Sequence, residues 1–339
     1  MIKEATEKIA QKINLSGDEM QSVMEEIMSG SVDTEQIVSF LNALNNKGET
    51  IEEITAAATV MRRHSVKISS DKKVILDTCG TGGDKKGTFN ISTIAAFVVS
   101  GCGVCVAKHG NRSVSSSCGS ADILEAVGVN INMPKERIEK CLDEIGITFL
   151  FAPNMHPAMK YAMPARKQIG KRTIFNIMGP LCNPAGATHQ LIGVFEPSLT
   201  EILAKVLGNM EIRHALVVCG KDGLDEITTT TQTIISEFHN GILNTYEIAL
   251  EHFGFKKARA EDLLGGNISD NVQIMLEVLN GKPGSKRDIV LLNAAAGLYV
   301  SDKVKSIKEG IGLASESIDS GRALKKLALL KEYSRRTNS

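Results

Sequence analysis

From residue 72 onward, short apolar runs alternate with helix-like runs, and several of the apolar runs end in glycine-rich or polar loops. This alternation constrains the fold more than any other feature. Strands separated by helices form a largely parallel sheet covered by helices on both faces. The candidate strands are KVILDTCG, VCVAKHG, ITFLFAP, LIGVFEP and ALVVCGKDG. Between them, STIAAFVVSGCG, ADILEAVG and the stretches 134–145 and 199–210 carry helical spacing. In sheets of this kind ligands sit beyond the carboxyl ends of the strands. Three unusual loops fall there, after Leu76, Ala107 and Cys219.

The first 65 residues have a different texture. Ser16 with Glu19, Asp33 with Gln36 and Thr50 with Glu53 have the spacing of capping boxes. Each precedes apolar residues at helical spacing, such as Met20, Val23, Met24 and Ile27, or Ile37, Phe40, Leu41 and Leu44. The intervening sequences do not repeat, which excludes a solenoid. The expected fold class is therefore α/β: a small N-terminal helical domain over residues 1–68 and a large α/β domain over 72–339, with a mostly parallel central sheet. A formal net charge of zero, from 39 basic and 39 acidic residues, argues against a broad nucleic-acid-binding face. Seven cysteines, scattered except for Cys102 and Cys105, suit reduced thiols in a cytoplasm. Those two lack a second pair at zinc spacing and read as core residues.

The first loop is DTCGTGGDKKGTFNIST, residues 77 to 93. Gly80, Gly82 and Gly83 allow backbone N–H groups to approach an anion closely. The loop lacks the Lys-Ser/Thr ending of a Walker A motif, and Lys85 breaks the dinucleotide fingerprint. A plain tight turn explains one or two glycines, but not three followed by a hydroxyl-rich helix start at Asn90, Ser92 and Thr93. Asp84 repels phosphate, so it fits ribose hydroxyls or a phosphate reached through a cation. The second loop, KHGNRSVSSSCGSAD (108–122), brings Lys108, His109 and Arg112 together with five serines. As a bland alternative these cations form a solvated turn. Taken with the first loop, they suit a sugar phosphate carrying a second phosphate group. In the third loop, GKDGLDE (220–226), Asp225 and Glu226 are solvated acids if alone, and magnesium ligands if phosphates complete the shell.

GTGGD, NIST, KHGNRSVSSSCGSAD, HPAMKYAMPARKQIGKRTIFN, GPLCNP and DGLDE occur in the order of the signature blocks of the anthranilate phosphoribosyltransferase family, which this chain resembles over nearly its whole length. The resemblance implies a nucleoside phosphorylase-type phosphoribosyltransferase fold, with part of 160–185 joining the helical domain. It also implies a cytoplasmic homodimer formed largely through that domain. The implied substrates are 5-phosphoribosyl 1-diphosphate (PRPP) and anthranilate, with Mg2+ as cofactor at two ions per chain and no nucleic-acid or membrane partner. PRPP would be held by Gly80, Gly83, Asp84, Thr88, Asn90, Ile91, Ser92 and Thr93. Lys108, His109, Gly110, Asn111, Arg112, Ser113, Val114, Ser115, Ser116 and Ser120 would complete that site. Ser92, Asp225 and Glu226 match the metal positions, and Gly80, Asn111 and Arg166 match the anthranilate positions. A guanidinium at Arg166 suits a planar carboxylate.

The implied reaction displaces pyrophosphate from ribose C1 by the aromatic amine, which is already neutral at pH 7. Lys108, backbone N–H groups and Mg2+ would stabilise the departing charge. No covalent intermediate is expected, and His109 is the candidate for a late proton acceptor. Two rivals predict other features. A pyrimidine nucleoside phosphorylase of the same fold needs no diphosphate-bound metal, and a nucleic-acid-binding relative predicts a basic excess and eroded acidic positions.

Overall fold

The computed structural model describes residues 1–113 and 118–336. The chain begins with α1 (Ile2–Ala10), α2 (Gly17–Ser29), α3 (Thr34–Lys47) and α4 (Ile51–Arg63). All three expected capping boxes form, at Ser16–Glu19, Asp33–Gln36 and Thr50–Glu53. They satisfy amide groups that a helix start otherwise leaves unpaired. Met20, Val23, Met24 and Ile27 of α2 meet Ile37, Phe40, Leu41 and Leu44 of α3 in one core cluster. Glu53 is buried among them, with its carboxylate 2.9 Å from Lys47 Nζ. It also accepts from the amides of Leu15 and Thr50.

The α/β layer follows as β1 (Ile75–Asp77), α5 (Ile91–Gly101), β2 (Cys105–Gly110), α6 (Ser120–Ala126), α7 (Lys135–Lys140) and β3 (Ile147–Phe151). The run 134–145 continues beyond α7 as a π-helical turn over Cys141–Ile145. Next come α8 (Ala152–Met155), α9 (Met159–Ile169), α10 (Phe175–Met178), β4 (His189–Gly193), α11 (Ser198–Asn209) and β5 (His214–Gly220). A hairpin of β6 (Thr233–His239) and β7 (Ile242–Ile248) precedes α12 (Ile268–Leu279), α13 (Ser285–Val300), α14 (Ile307–Asp319) and α15 (Arg322–Arg335).

Among the described residues the strands form one sheet in the order β3-β2-β1-β4-β5-β6-β7. The first five strands in that order pair in parallel, as the alternation predicts. The hairpin adds two antiparallel strands at the β5 edge, which the sequence reading did not anticipate. Its turn is Asn240–Gly241, both at positive φ (50° and 81°), the pairing that a two-residue hairpin turn favours.

Two apolar cores flank the sheet. The larger core joins α5 and α12 to α15 to β1, β2 and β3, and extends to Leu191, Leu216 and Val218 of β4 and β5, where α13 packs. In the other, Leu203, Val206 and Leu207 of α11 join Ile192, Val217 and Cys219 of the sheet to the core of the helical layer. The chain returns to that layer through α9, whose Ala162 and Ala165 are fully buried against α2 and α3. All seven cysteines are free thiols; Cys105 is buried, and the Cys102 thiol approaches the Leu313 carbonyl at 3.3 Å.

Candidate active site at the carboxyl ends of the strands

The loop after β1 is anchored at both ends. The Thr81 amide donates to the Gly193 carbonyl at the end of β4 (2.8 Å), and the Phe89 amide donates to the Leu263 carbonyl (3.2 Å). Gly82 and Gly83 between them have φ of 64° and 82°, the left-handed region where a side chain is strained. Thr88 bridges to Leu264, and the Gly265 amide donates to Gly87. The GGN turn at 265–267, which carries no functional signal in the sequence, is thus part of the loop's support.

Asn90 precedes α5 without a side-chain cap. Its amide side chain donates instead to the Cys118 carbonyl (3.1 Å) of the second loop, while its backbone amide donates to Asn271 Oδ1 of α12 (3.2 Å). Asn90 therefore ties the first and second loops together.

Lys108, at 4 % exposure, points along the strand ends rather than outward. Its ammonium donates to the Thr78 carbonyl (2.9 Å) and reaches Ser92 Oγ at 3.3 Å. The Ser92 amide in turn donates to Glu226 Oε1 (3.1 Å). Residues of all three loops, far apart in sequence, thus meet at Ser92. Gly193 is required here because a Cβ would collide with the Asp225 carbonyl.

Asp84, Asp225 and Glu226 gather on this point. Burial, then the charge of Asp84 and a hydrogen bond with it, pushes Asp225 well above the usual carboxylate range. Burial, then the charge of Asp225, does the same to Glu226, although Lys108 opposes it. Such a group of like charges is costly without a proton or cation among them. Oxygen ligands of this kind fit a hard divalent cation, so these residues suit Mg2+.

His109 is 3 % exposed, and both ring nitrogens are engaged. Nδ1 lies 3.1 Å from the Gly179 carbonyl and must donate to it. Nε2 is then the acceptor, facing His156 Nε2 at 3.2 Å. Burial, then the neighbouring His156, lowers its pKa to about 3. A proton-accepting role therefore has no free nitrogen in this arrangement. Asp77, fully buried at the end of β1, accepts from the His109 amide (3.1 Å) and from Asn183 Nδ2 (2.7 Å). Asn183 also donates to the Ala107 carbonyl (2.8 Å), clamping β1 to β2.

Arg112 is paired with Asp122 and Glu125, each at 2.9 Å, and its guanidinium lies 5.7 Å from the Phe151 ring centroid. Ser113 and Gly119 donate their amides to Asp122. The Ser120 hydroxyl donates to the Asn111 carbonyl (3.2 Å), so the described part of the loop closes on itself. Val114, Ser115 and Ser116 lie outside the described residues. Arg166 on α9 has no carboxylate partner among the described residues. Its guanidinium lies 5.6 Å from the centroid of the Phe175 ring, and Nη1 is 3.8 Å from Met163 Sδ. Arg172 stacks 3.6 Å from the Phe195 ring centroid and donates to the Gly83 carbonyl. It links the segment after α9 to the glycine-rich loop.

Asp77, Asn183, His156, Asn271 and Arg172 were not singled out in the sequence reading as site residues. Asn183, His156 and Arg172 sit within the blocks GPLCNP and HPAMKYAMPARKQIGKRTIFN, which was the available signal. Asn271 carried none, because its partner Asn90 is remote in sequence.

A helical bundle joined to an α/β sheet, with glycine-rich and acidic loops at the strand ends, is the architecture of the two-domain glycosyl transferase family. Family models agree: residues 3–65 match the helical bundle domain of the glycosyl transferase family, and 72–324 match its α/β domain. The anthranilate phosphoribosyltransferase of Acetivibrio thermocellus is 53% identical over 339 residues, covering 100% of this chain and 97% of its own length. The chain belongs to the anthranilate phosphoribosyltransferase family, whose members are pentosyl-transferring enzymes. The Thermus thermophilus member has a solved structure with a TM-score of 0.93 and 39% identity, covering 98% of this chain and 99% of that one. The Saccharomyces cerevisiae member, solved in complex with PRPP and Mg, gives 0.90 and 29%, covering 98% of this chain and 97% of that one. Another structure of the yeast protein holds 4-fluoroanthranilate.

Proposed function

We propose that this chain transfers the 5-phosphoribosyl group of PRPP to the amine of anthranilate, releasing pyrophosphate, as a step of tryptophan biosynthesis. The observation that carries this reading is the meeting of the three loops at Ser92, where Lys108 and Glu226 approach the start of α5. The yeast relative's complexes, with PRPP and Mg and with an anthranilate analogue, support it.

PRPP lies on Gly80, Gly83, Asp84, Thr88 and Asn90 through Thr93, completed by Lys108 through Ser113 and Ser120. Val114, Ser115 and Ser116 are proposed with them. Ser92, Asp225 and Glu226 hold Mg2+, two ions per chain, and bound Mg2+ offsets charge on the departing diphosphate. Lys108 is already buried and oriented, so it stabilises that charge with little reorganisation. Backbone amides of the glycine-rich loop do the same at fixed positions. Arg166, set 5.6 Å from the Phe175 ring centroid with no carboxylate partner among the described residues, pairs with the anthranilate carboxylate, with Gly80 and Asn111 beside it. This sets the amine against ribose C1. The amine attacks as C1–O breaks, the diphosphate leaves with the bonding pair, and the nitrogen's surplus proton passes to solvent or pyrophosphate. His109 positions the loop by its bond to Gly179.

Residues 1–68, with part of 160–185, form the proposed helical domain, and 72–339 the transfer domain. We assign a homodimer to the helical layer, where Ile13, Tyr161 and Met163 are exposed. No described helix is long and apolar enough to cross a membrane; the proposed compartment is the cytoplasm.

The test is anthranilate fluorescence with purified protein. Loss that requires both PRPP and Mg2+ is expected. No loss in a folded sample, with phosphorolysis of pyrimidine nucleosides, would favour the phosphorylase reading.

A further inference from the structure

Residues 289–298 of α13 are all buried, and Asn293 is the one polar side chain among them. Asparagine is a weaker helix former than the alanines and leucines around it, and a buried amide must find partners for its polar atoms. Those partners lie outside the helix as well as within it. The Ile227 amide donates to Asn293 Oδ1, and Asn293 Nδ2 donates to the Ile227 carbonyl, both at 2.9 Å. The other Nδ2 proton goes to the Ile289 carbonyl, one turn earlier in α13, also at 2.9 Å. One side chain thus holds both polar groups of one loop residue, a two-point pairing of the kind that a neighbouring strand supplies in a sheet.

Ile227 directly follows Asp225 and Glu226. Its N–H belongs to the planar peptide unit that joins it to Glu226, so Asn293 sets the orientation of that plane. On the other side, the Asp225 carbonyl belongs to the peptide unit joining Asp225 to Glu226. It is seated against Gly193, where a Cβ would stand only 1.6 Å from its oxygen. With the planes on both sides of Glu226 held, the direction of its Cα–Cβ bond is held too. Glu226 Oε1 then accepts from the Ser92 amide at 3.1 Å.

α13 is a firm base for this clamp. One turn after Asn293, a Cβ at Gly297 would lie 3.0 Å from Val99 Cγ2 of α5 and 3.4 Å from Leu76 Cδ2 of β1. α5 carries Ser92 in its first turn. The helices behind the two sides of the Ser92–Glu226 contact are therefore packed directly on each other. The acids call for such support. Asp84, Asp225 and Glu226 repel one another, and a loop free to turn would relieve the repulsion by swinging the carboxylates apart.

We infer that Asn293 is a positioning residue for the divalent-cation site, given Asp225 and Glu226 as its proposed ligands. Through Ile227 it holds Glu226 in the orientation a hard divalent cation requires, and it touches neither ion nor substrate.

Mn2+ takes the oxygen ligands that suit Mg2+, and the paramagnetic resonance signal of the free ion disappears on binding, so it reports on the site without turnover. Mn2+ is titrated into the full chain. The wild type should bind it, and Asp225→Asn with Glu226→Gln should lose that binding. Asn293→Ala should weaken it by about tenfold or more, the loss typical when a partner supporting a metal ligand is removed. Asn293→Ser is the milder variant, because a helical serine can still donate to the Ile289 carbonyl while Ile227 is released. It should melt nearer the wild-type temperature and yet weaken Mn2+ binding by a similar factor. The control is Ser317→Ala, which removes a buried hydroxyl bond to the Val98 carbonyl (2.8 Å), toward the other end of α5. Its melting temperature should fall with Mn2+ binding unchanged. In turnover, the Mg2+ concentration giving half the maximal rate should rise in both Asn293 variants, with the anthranilate KM held. Undiminished Mn2+ binding in folded Asn293→Ser overturns the inference, as does an equal weakening in Ser317→Ala. A wild type that binds no Mn2+, or binding that survives Asp225→Asn with Glu226→Gln, overturns the metal assignment and this inference with it. Absence of wild-type turnover overturns the proposed reaction instead, and the Mn2+ comparison still decides the role of Asn293.

Discussion

Glu53 in the helical layer and the pair Asp225–Glu226 beyond β5 are carboxylates drawn away from water, yet their surroundings differ. Burial pushes Glu53 up, but Lys47 and the amides of Leu15 and Thr50 outweigh it, and its pKa ends below the ordinary value. Asp225 and Glu226 end above theirs, because Asp84 adds repulsion and only Lys108 and scattered amides oppose it. The first acid is completed by its own fold. The second set is left for something outside the chain. Stability and the proposed function are thus separated along the molecule, and each variant below tests that separation.

The largest effect is expected from Asp225→Asn with Glu226→Gln. Turnover with PRPP and anthranilate should fall by about a hundredfold or more, as when a charge-stabilising group is removed. The melting temperature should hold or rise, since repulsion is relieved. A parallel fall of both would place these acids with Glu53 and break the comparison.

Next in size is Glu53→Ala, which strands the Lys47 ammonium in the core. A cost of about 3–5 kcal/mol in urea unfolding is expected, with the Mg2+ dependence of any remaining activity unchanged. A change in Mg2+ dependence would show that the helical layer shares in the metal site.

Arg166→Ala follows. The anthranilate KM should rise by an amount equivalent to about 1.5–3 kcal/mol, the worth of a hydrogen bond to a charged group, with the PRPP KM held. Equal shifts in both would remove Arg166 from the acceptor site.

The smallest effect is a difference in pH slope. Asp77 is raised by burial to about 6, despite Lys108 and Asn183. The folded chain keeps a proton that the unfolded chain releases, so this contribution is present below about 3.8 and lost as pH rises through about 6. Glu53, lowered, contributes above 4.5 and loses that contribution as pH falls. Urea unfolding of Asp77→Asn should lack the loss between pH 4 and pH 7. An unchanged slope would show that Asp77 is ionised throughout.

Much of this architecture was legible because its signals are local. Capping boxes need three residues of spacing, and strand–loop–helix alternation needs about twenty, so helix starts and the parallel sheet could be read directly. The β6–β7 hairpin was also marked, by Asn240–Gly241, but its strands alternate weakly and β7 is largely exposed. Pairings between distant elements left no such mark. Asn90 with Asn271 and Asp77 with Asn183 exist only once strand order and register are set. The loops around Ser92 were legible as three separate anion or metal signals. That they converge on Ser92, Lys108 at its hydroxyl and Glu226 at its amide, was implied only by the family resemblance and by no local spacing.

The return of α9 into the helical layer carries a further consequence. Ala162 and Ala165 occupy the surface of α2 and α3 that would otherwise face solvent. The small unit is therefore no contiguous cassette. A chimaera that exchanges residues 1–68 between relatives inherits half of a matched pair of surfaces, and must carry the 159–169 stretch with it. This packing predicts that the two stretches vary together, so recombination within the family should preserve them together.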